Sequence, residues 1–233
     1  MGTFYGIGVG PGDSELITVK AVNTIKKLDV LYTPKAHKSG LSFAEQIATP
    51  YFNDSLTIKR RHFPMTHNLE EKQQSWNEIA AEITKDAKAG MEVGFITLGD
   101  PSVYSTYSYL ADIVRDSVPV QTIAGISSYS QIAAEVSIPL TLDDESLEVI
   151  PATAPLDKIS QALDVNDNVI VMKVSTKFEA VYKLLSDREL LGNALLVTDA
   201  SLESEKTRKL SEMDISEKVP YFSTVLIKKQ LRF

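Results

Sequence analysis

The chain's 233 residues are 43% hydrophobic and 24% charged, proportions ordinary for a globular protein, which exclude a disordered chain. There is no cysteine, so disulfides, thiolate metal sites, iron–sulfur clusters and a cysteine nucleophile are excluded together. Asp and Glu number 31 against 24 Lys and Arg, a formal charge of −7, the wrong sign for a general nucleic-acid or anionic-membrane binder.

From the amino end, TFYGIGV (Thr3 to Val9) has the texture of a strand and runs into a Gly/Pro turn. A helix is expected from near Ser14 to about Leu28, with Val19, Val22 and Ile25 on one face. The strand DVLYT follows and stops at Pro34. Residues Ser42 to Thr49 look helical, and LTIKR looks like a short strand. A charged, Pro-containing loop leads to the clearest helix, which starts at Asn68 with Glu71 three residues on. It carries Leu69, Trp76, Ile79, Ala80, Ile83 and Ala87 at three- and four-residue spacing and ends at Gly90. Next come strand EVGFITL, loop GDPS, a helix to about Asp116, strand VPVQTI, loop AGISS and a helix that ends before Pro139.

This alternation implies parallel pairing with crossovers, hence an α/β domain over residues 1–139. Beyond Pro139 the strands ESLEVI, NVIVMKV, NALLVTDA and YFSTVLIKK are separated by shorter helices and acidic turns. They suggest a second α/β domain, residues 140–233, with a mixed sheet and a boundary between Ser137 and Asp144. Met1 leads directly into a strand without a signal-peptide pattern, and no stretch approaches the roughly 18 apolar residues of a membrane span. A cytosolic protein is expected.

Three loops lie where a strand ends and a helix begins: GVGPGD (Gly8 to Asp13), LGDPSVYST (Leu98 to Thr106) and AGISS (Ala124 to Ser128). Ligands of open α/β sheets bind beyond the carboxyl ends of the strands, where helix N-termini and free backbone N–H groups converge. The first loop has neither G-x-G-x-x-G nor G-x-x-x-x-G-K-[ST] spacing, which excludes the ordinary dinucleotide and nucleoside-triphosphate readings. It is a tight connection or a ligand loop, with Pro11 fixing φ and Asp13 placed to cap the next helix. Asp100 either offers a carboxylate to amino or hydroxyl groups or caps a helix starting near Ser102. Ser127 and Ser128 pose the same choice. The three histidines, His37, His62 and His67, are too dispersed for a zinc site, and no metal site is expected.

The set GIGVGPGD, LGDPSVYSTYSYL and IAGISSYSQIAA, in this order, resembles the tetrapyrrole methylase family, S-adenosylmethionine-dependent enzymes with two α/β domains and a cleft between them. The resemblance runs the full length. The segments LYTPK, FPMT, GDPSVYSTY, IPLT, IPAT and PYFSTVLIKK are similar to the branch that methylates the meso carbon C(20) of precorrin-2 or cobalt-factor II. The resemblance implies S-adenosyl-L-methionine as methyl donor, a tetrapyrrole substrate and a homodimer. It implies that Pro11, Leu98, Gly99, Asp100 and Val103, with the adjoining Tyr104 and Ser105, then Ser127 and Ser128, lie against the cofactor. From the second domain it implies Met172 and Ala200, although a Met in an apolar strand is also ordinary core. Ala124 stands where the family usually has Pro. Pro34 stands near the place of an Asp that serves as proton acceptor in the uroporphyrinogen-methylating branch, so that base is not carried over. Tyr104 and His37 are the weak candidates that remain.

A substrate with several acetate and propionate groups requires basic residues in one place. The densest run is Lys59-Arg60-Arg61-His62, with Lys35 and Lys38 after the second strand. Lys35, Arg60 and Arg61 are therefore the candidate substrate contacts, with a solvated charged face as the other reading.

Overall fold

The computed structural model describes residues 1–35, 41–64 and 68–233, and its contacts divide into two units, Met1–Ser127 and Ser128–Phe233. In the first unit, β1 (Phe4–Gly8), β2 (Val30–Pro34), β3 (Thr57–Arg61), β4 (Val93–Thr97) and β5 (Val120–Ile123) form a sheet. Its order is β3-β2-β4-β1-β5, and every pairing is parallel. Successive strand residues point to opposite faces. Phe4, Val30, Tyr32, Val93 and Phe95 pack on one side with α3 (Leu69–Lys88) and α4 (Tyr107–Val114). Tyr5, Ile7, Leu31, Ile96 and Ile123 pack on the other with α1 (Val19–Ile25) and α2 (Phe43–Ala48). The unit is thus a helix–sheet–helix sandwich, and parallel strands covered on both faces read as near-continuous apolar runs for that reason.

Local chemistry sets most of the boundaries. The Asn68 side chain accepts from the N–H groups of Glu70 and Glu71 at the start of α3, and Gly90 just past its end sits at φ +96°. The helix expected from Ser14 is instead a 3-10 turn, Ser14–Leu16, capped by Asp13, followed by α1 with Thr18 as its N-cap. Val19, in the first turn of α1, is exposed, and Ala21, Thr24 and Ile25 form the buried face. Gly6 is a packing requirement, since a Cβ there would lie 2.1 Å from the Tyr107 ring.

The second unit begins with α5 (Ser128–Glu135) and continues through β6 (Leu147–Pro151), α6 (Leu156–Val165), β7 (Asn168–Met172), α7 (Phe178–Ser186), β8 (Ala194–Thr198), β9 (Lys206–Lys209) and β10 (Ser223–Lys228). The sheet order is β6-β7-β10-β8-β9. Only β6 and β7 pair in parallel, and the other pairings are antiparallel. One face carries Val169, Val171, Val225 and Ile227 against α6 and α7. The other carries Ile170, Val197 and Leu226 against Ile132 of α5. That contact moves α5 into the second unit, so the division between units falls before the helix and not in the Ser137 to Asp144 segment expected from composition. The short strand β9 has the sequence KTRK, wholly exposed, and no apolar pattern announces it.

Ile132→Ala should remove about 2–4 kcal/mol of stability through the cavity it leaves. Amide exchange should accelerate in β7, β8 and β10 while β1 and β4 keep their protection; acceleration confined to β1 and β4 would return α5 to the first unit.

Candidate active site

The three loops singled out in the sequence meet at the carboxyl end of the first sheet, because β4, β1 and β5 are neighbours and parallel. Backbone pairing joins the first two. Gly99 N–H donates to Gly10 O at 2.7 Å, and Gly10 N–H donates back to Gly99 O at 3.4 Å. Both glycines have positive φ, +82° and +74°, a region open to glycine at little cost. The third loop lies directly on this bridge. A Cβ on Gly125 would stand 2.2 Å from Gly99 O, and one on Gly8 2.6 Å from the same oxygen. Glycine is required at both positions for close backbone approach, without any phosphate motif.

Asp100 completes the tie. Its Oδ1 accepts from Ser102 N–H at 2.7 Å and its Oδ2 from Gly125 N–H at 2.9 Å. One carboxylate therefore turns its own loop and fastens the third. The helix expected from Ser102 starts only at Tyr107, because Tyr104 takes φ +49° and interrupts it. Ser105 acts at that start: its Oγ accepts from Tyr107 N–H at 3.2 Å and lies 2.9 Å from Thr97 Oγ1. Thr18 links the third loop to α1, with its Oγ1 donating to Ala124 O at 3.5 Å.

Pro11 is buried, Leu98 and Val103 are half-buried, and Tyr104 is 46% exposed. Ser127 is buried at the end of the first unit, and Ser128 opens α5. Gly99 is buried, yet a Cβ built on it would meet nothing nearer than Ile126 O at 3.9 Å. Beside this backbone there is thus room for a small group.

In the second unit, Met172 ends β7 and Ala200 follows β8; both belong to the apolar cluster around Ile170, Val197 and Leu226. The start of β10 lies between them, with Thr224 opposite Met172 and Ser223 opposite Thr198. The sequence reading passed over two residues of this edge. Lys173 has φ +56°, and burial pushes its ammonium below the ordinary lysine value. Tyr221 is 53% exposed, and its carbonyl accepts from Ser175 Oγ. Left-handed backbone in a lysine leaves no mark in a single sequence, so Lys173 could not have been singled out.

The basic run on β3 is engaged internally. Lys59 Nζ donates to Asp86 Oδ2 at 2.6 Å, and the fully buried Tyr32 hydroxyl donates to the same oxygen at 2.7 Å. Burial, then the bond to Asp86, pushes the Tyr32 phenol far above its ordinary value. Arg60 forms a two-pronged pair with the buried Glu45 carboxylate. Arg61 does the same with Glu82, and that hydrogen bonding holds Glu82 below the usual carboxylate range. Both guanidinium groups thus stitch the edge strand to α2 and α3. Lys35 is exposed, with its N–H donating to Arg61 O at 2.8 Å. His37, Lys38, His67 and the last two residues of FPMT lie outside the described residues.

The sequence profile of the tetrapyrrole (corrin/porphyrin) methylases matches residues 3–215. The cobalt-precorrin-2 C(20)-methyltransferase of Salmonella typhimurium is 38% identical over 100% of this chain and 98% of its own. The precorrin-2 C(20)-methyltransferase of Sinorhizobium sp is 28% identical over 97% of this chain and 95% of its own. Among solved structures, the uroporphyrin-III C-methyltransferase of Thermus thermophilus complexed with S-adenyl homocysteine aligns with a TM-score of 0.69 at 19% identity. That alignment covers 98% of this chain and 92% of the other, and it shows a shared fold.

Asp100→Ala strands the N–H groups of Gly125 and Ser102 and should remove about 2 kcal/mol of stability. Exchange at those two amides should accelerate; unchanged exchange at Gly125 would remove the tie. The Arg61–Glu82 pair is partly exposed and screened, worth about 0.5 kcal/mol. Because the folded Glu82 carboxyl titrates below its unfolded value, this contribution is present at neutral pH and is lost as pH falls through the folded value. Glu82→Gln should therefore flatten the acid limb of a urea-denaturation pH series; an identical limb would show the pair to be energetically silent.

Proposed function

The chain belongs to the tetrapyrrole (corrin/porphyrin) methylase family, and on that premise we propose that it transfers a methyl group from S-adenosyl-L-methionine to meso carbon C(20) of cobalt-precorrin-2 or cobalt-factor II in cobalamin biosynthesis. The observation that carries this reading is the 38% identity, end to end, with the cobalt-precorrin-2 C(20)-methyltransferase of Salmonella typhimurium. The cobalt form is preferred over the metal-free one because the metal-free enzyme's sequence is more distant, at 28%.

The residues present fit the donor. A Cβ on Gly99 would meet only Ile126 O, at 3.9 Å, so there is room beside this backbone, and the loops around it are tied to one another. Pro11, Leu98, Gly99, Val103, Tyr104, Ser105, Ser127 and Ser128 would hold it from the first unit's loops and α5, and Met172 and Ala200 from the second sheet. Asp100 contributes by holding the second and third loops together. When bound, S-adenosylmethionine supplies an activated methyl on a sulfonium, so the protein need not provide a strong nucleophile. Its task would be positioning, with the preset loops holding the reacting atoms in place. At C(20) a bond to methyl would replace a bond to hydrogen as the methyl–sulfur bond breaks, leaving S-adenosylhomocysteine, and the displaced proton would leave to a base. We read the working form as a homodimer, as the family resemblance implies, and sedimentation equilibrium should return twice the chain mass.

Incubation with methyl-labelled S-adenosylmethionine and cobalt-precorrin-2, or in parallel metal-free precorrin-2, should place the label on C(20), faster with the cobalt form. Label on another carbon, or on neither substrate, overturns the reading; faster transfer to the metal-free form overturns the choice of metal state.

A further inference from the structure

The loop that leaves β4 at Thr97 and enters α4 at Tyr107 is secured by different means along its length. Its first half is held by the Gly10–Gly99 pairing and by the Asp100 carboxylate, which accepts from Ser102 and Gly125 N–H. The second half, from Val103 to Thr106, turns through Tyr104 at φ +49°, a region that is costly for a residue with a bulky side chain. Directly after that turn, Ser105 Oγ lies 2.9 Å from Thr97 Oγ1 and accepts from Tyr107 N–H at 3.2 Å. A longer side-chain bond also crosses the loop, from Ser108 Oγ to Pro101 O at 3.4 Å.

The strand explains where the Thr97 side chain lies, and leaves its hydroxyl unexplained. Side chains alternate along β4; Val93 and Phe95 pack on the α4 side of the sheet, and Thr97, two residues further on, takes the same face and meets Ser105. Valine would suit a strand equally well, and the two residues before Thr97 on this face are apolar. What threonine adds is a polar bond from the end of β4 to the approach of α4, across a span of eight residues. Both side chains are half-buried, so water competes less for this bond than it would at the surface.

We propose that Thr97 is a positioning residue for the methyl donor: its hydroxyl, bonded to Ser105, fixes the second half of the GDP loop in the arrangement that receives S-adenosylmethionine. This rests on the function proposed above, in which Val103, Tyr104 and Ser105 help to hold the donor. Thr97 acts through Ser105 and within the first unit alone. A loop already closed by this bond has less freedom to lose when the ligand binds, so its affinity is higher. Without the bond the left-handed turn loses one of the ties beside it, and the ligand must order the loop itself.

Thr97→Val keeps the branched shape and removes the hydroxyl, Thr97→Ser keeps the hydroxyl, and Ser105→Ala removes its partner. Binding of S-adenosylhomocysteine is read by calorimetry, well below each variant's melting temperature. Thr97→Val and Ser105→Ala should each weaken binding by about tenfold, with Thr97→Ser within about threefold of the unaltered protein. Beside Ser105→Ala, Thr97→Val should weaken binding no further, because its effect runs through that serine. Unchanged affinity in Thr97→Val, or in Ser105→Ala, overturns the proposal. So does an equal loss in Thr97→Ser, or a Thr97→Val loss that persists in full beside Ser105→Ala, the patterns of a threonine that only packs. Failure of the unaltered protein to bind S-adenosylhomocysteine would instead strike the proposed function.

Discussion

The site at the end of the first sheet depends on one backbone contact, the pairing of Gly10 with Gly99. In this pairing both residues take positive φ, a region that glycine enters at little cost. Gly8 and Gly125 then close over the Gly99 carbonyl, and Asp100 fastens the third loop through Gly125 N–H. Each link presupposes the first. A ligand arriving at such loops meets donors and walls already in place, so less ordering entropy opposes its binding than at loops free to move.

The charges follow the same economy of position. An acidic chain with one dense basic run invites the idea of a docking patch for an anion. The strand register places that run on an edge strand whose side chains reach Glu45, Glu82 and Asp86, and these carboxylates, buried in Glu45 and Asp86 and partly exposed in Glu82, take the guanidinium and ammonium groups first. In the second unit Lys228, almost wholly buried, donates to Leu140 O, Glu145 Oε2 and Asn168 Oδ1. It anchors the segment after α5 to the sheet. A buried ammonium is tolerable because its three donors are all used. Sequence neighbours of like charge are thus dispersed into separate pairs by the fold.

Legibility in the sequence tracked how local the cause was. The long α3 was readable because its cap, its apolar spacing and its terminal glycine are all written within its own residues. The parallel sheet was readable because strands and helices alternate. The exposed β9 was not, since an edge strand of lysine, threonine and arginine is held by pairing to β8 and by nothing in its own composition. The helix after the GDP loop was placed too early, because a left-handed Tyr104 cannot be inferred from its neighbours. Likewise α5 reads as the last helix of one domain until Ile132 is seen against Ile170 and Leu226.

For the candidate site, the sequence by itself marked out the three loops that meet at the end of the first sheet, since Gly, Pro, Asp and Ser at strand ends reflect backbone demands made within a few residues. It also determined the family, because those motifs recur in order along the whole chain. Only the tertiary structure decided what each residue does there. Whether Asp100 reaches the third loop, whether Arg60 meets solvent or Glu45, and whether Lys173 bends where glycine would rest are questions of long-range geometry. Contacts between residues far apart in the chain set the answers, and no local pattern encodes them.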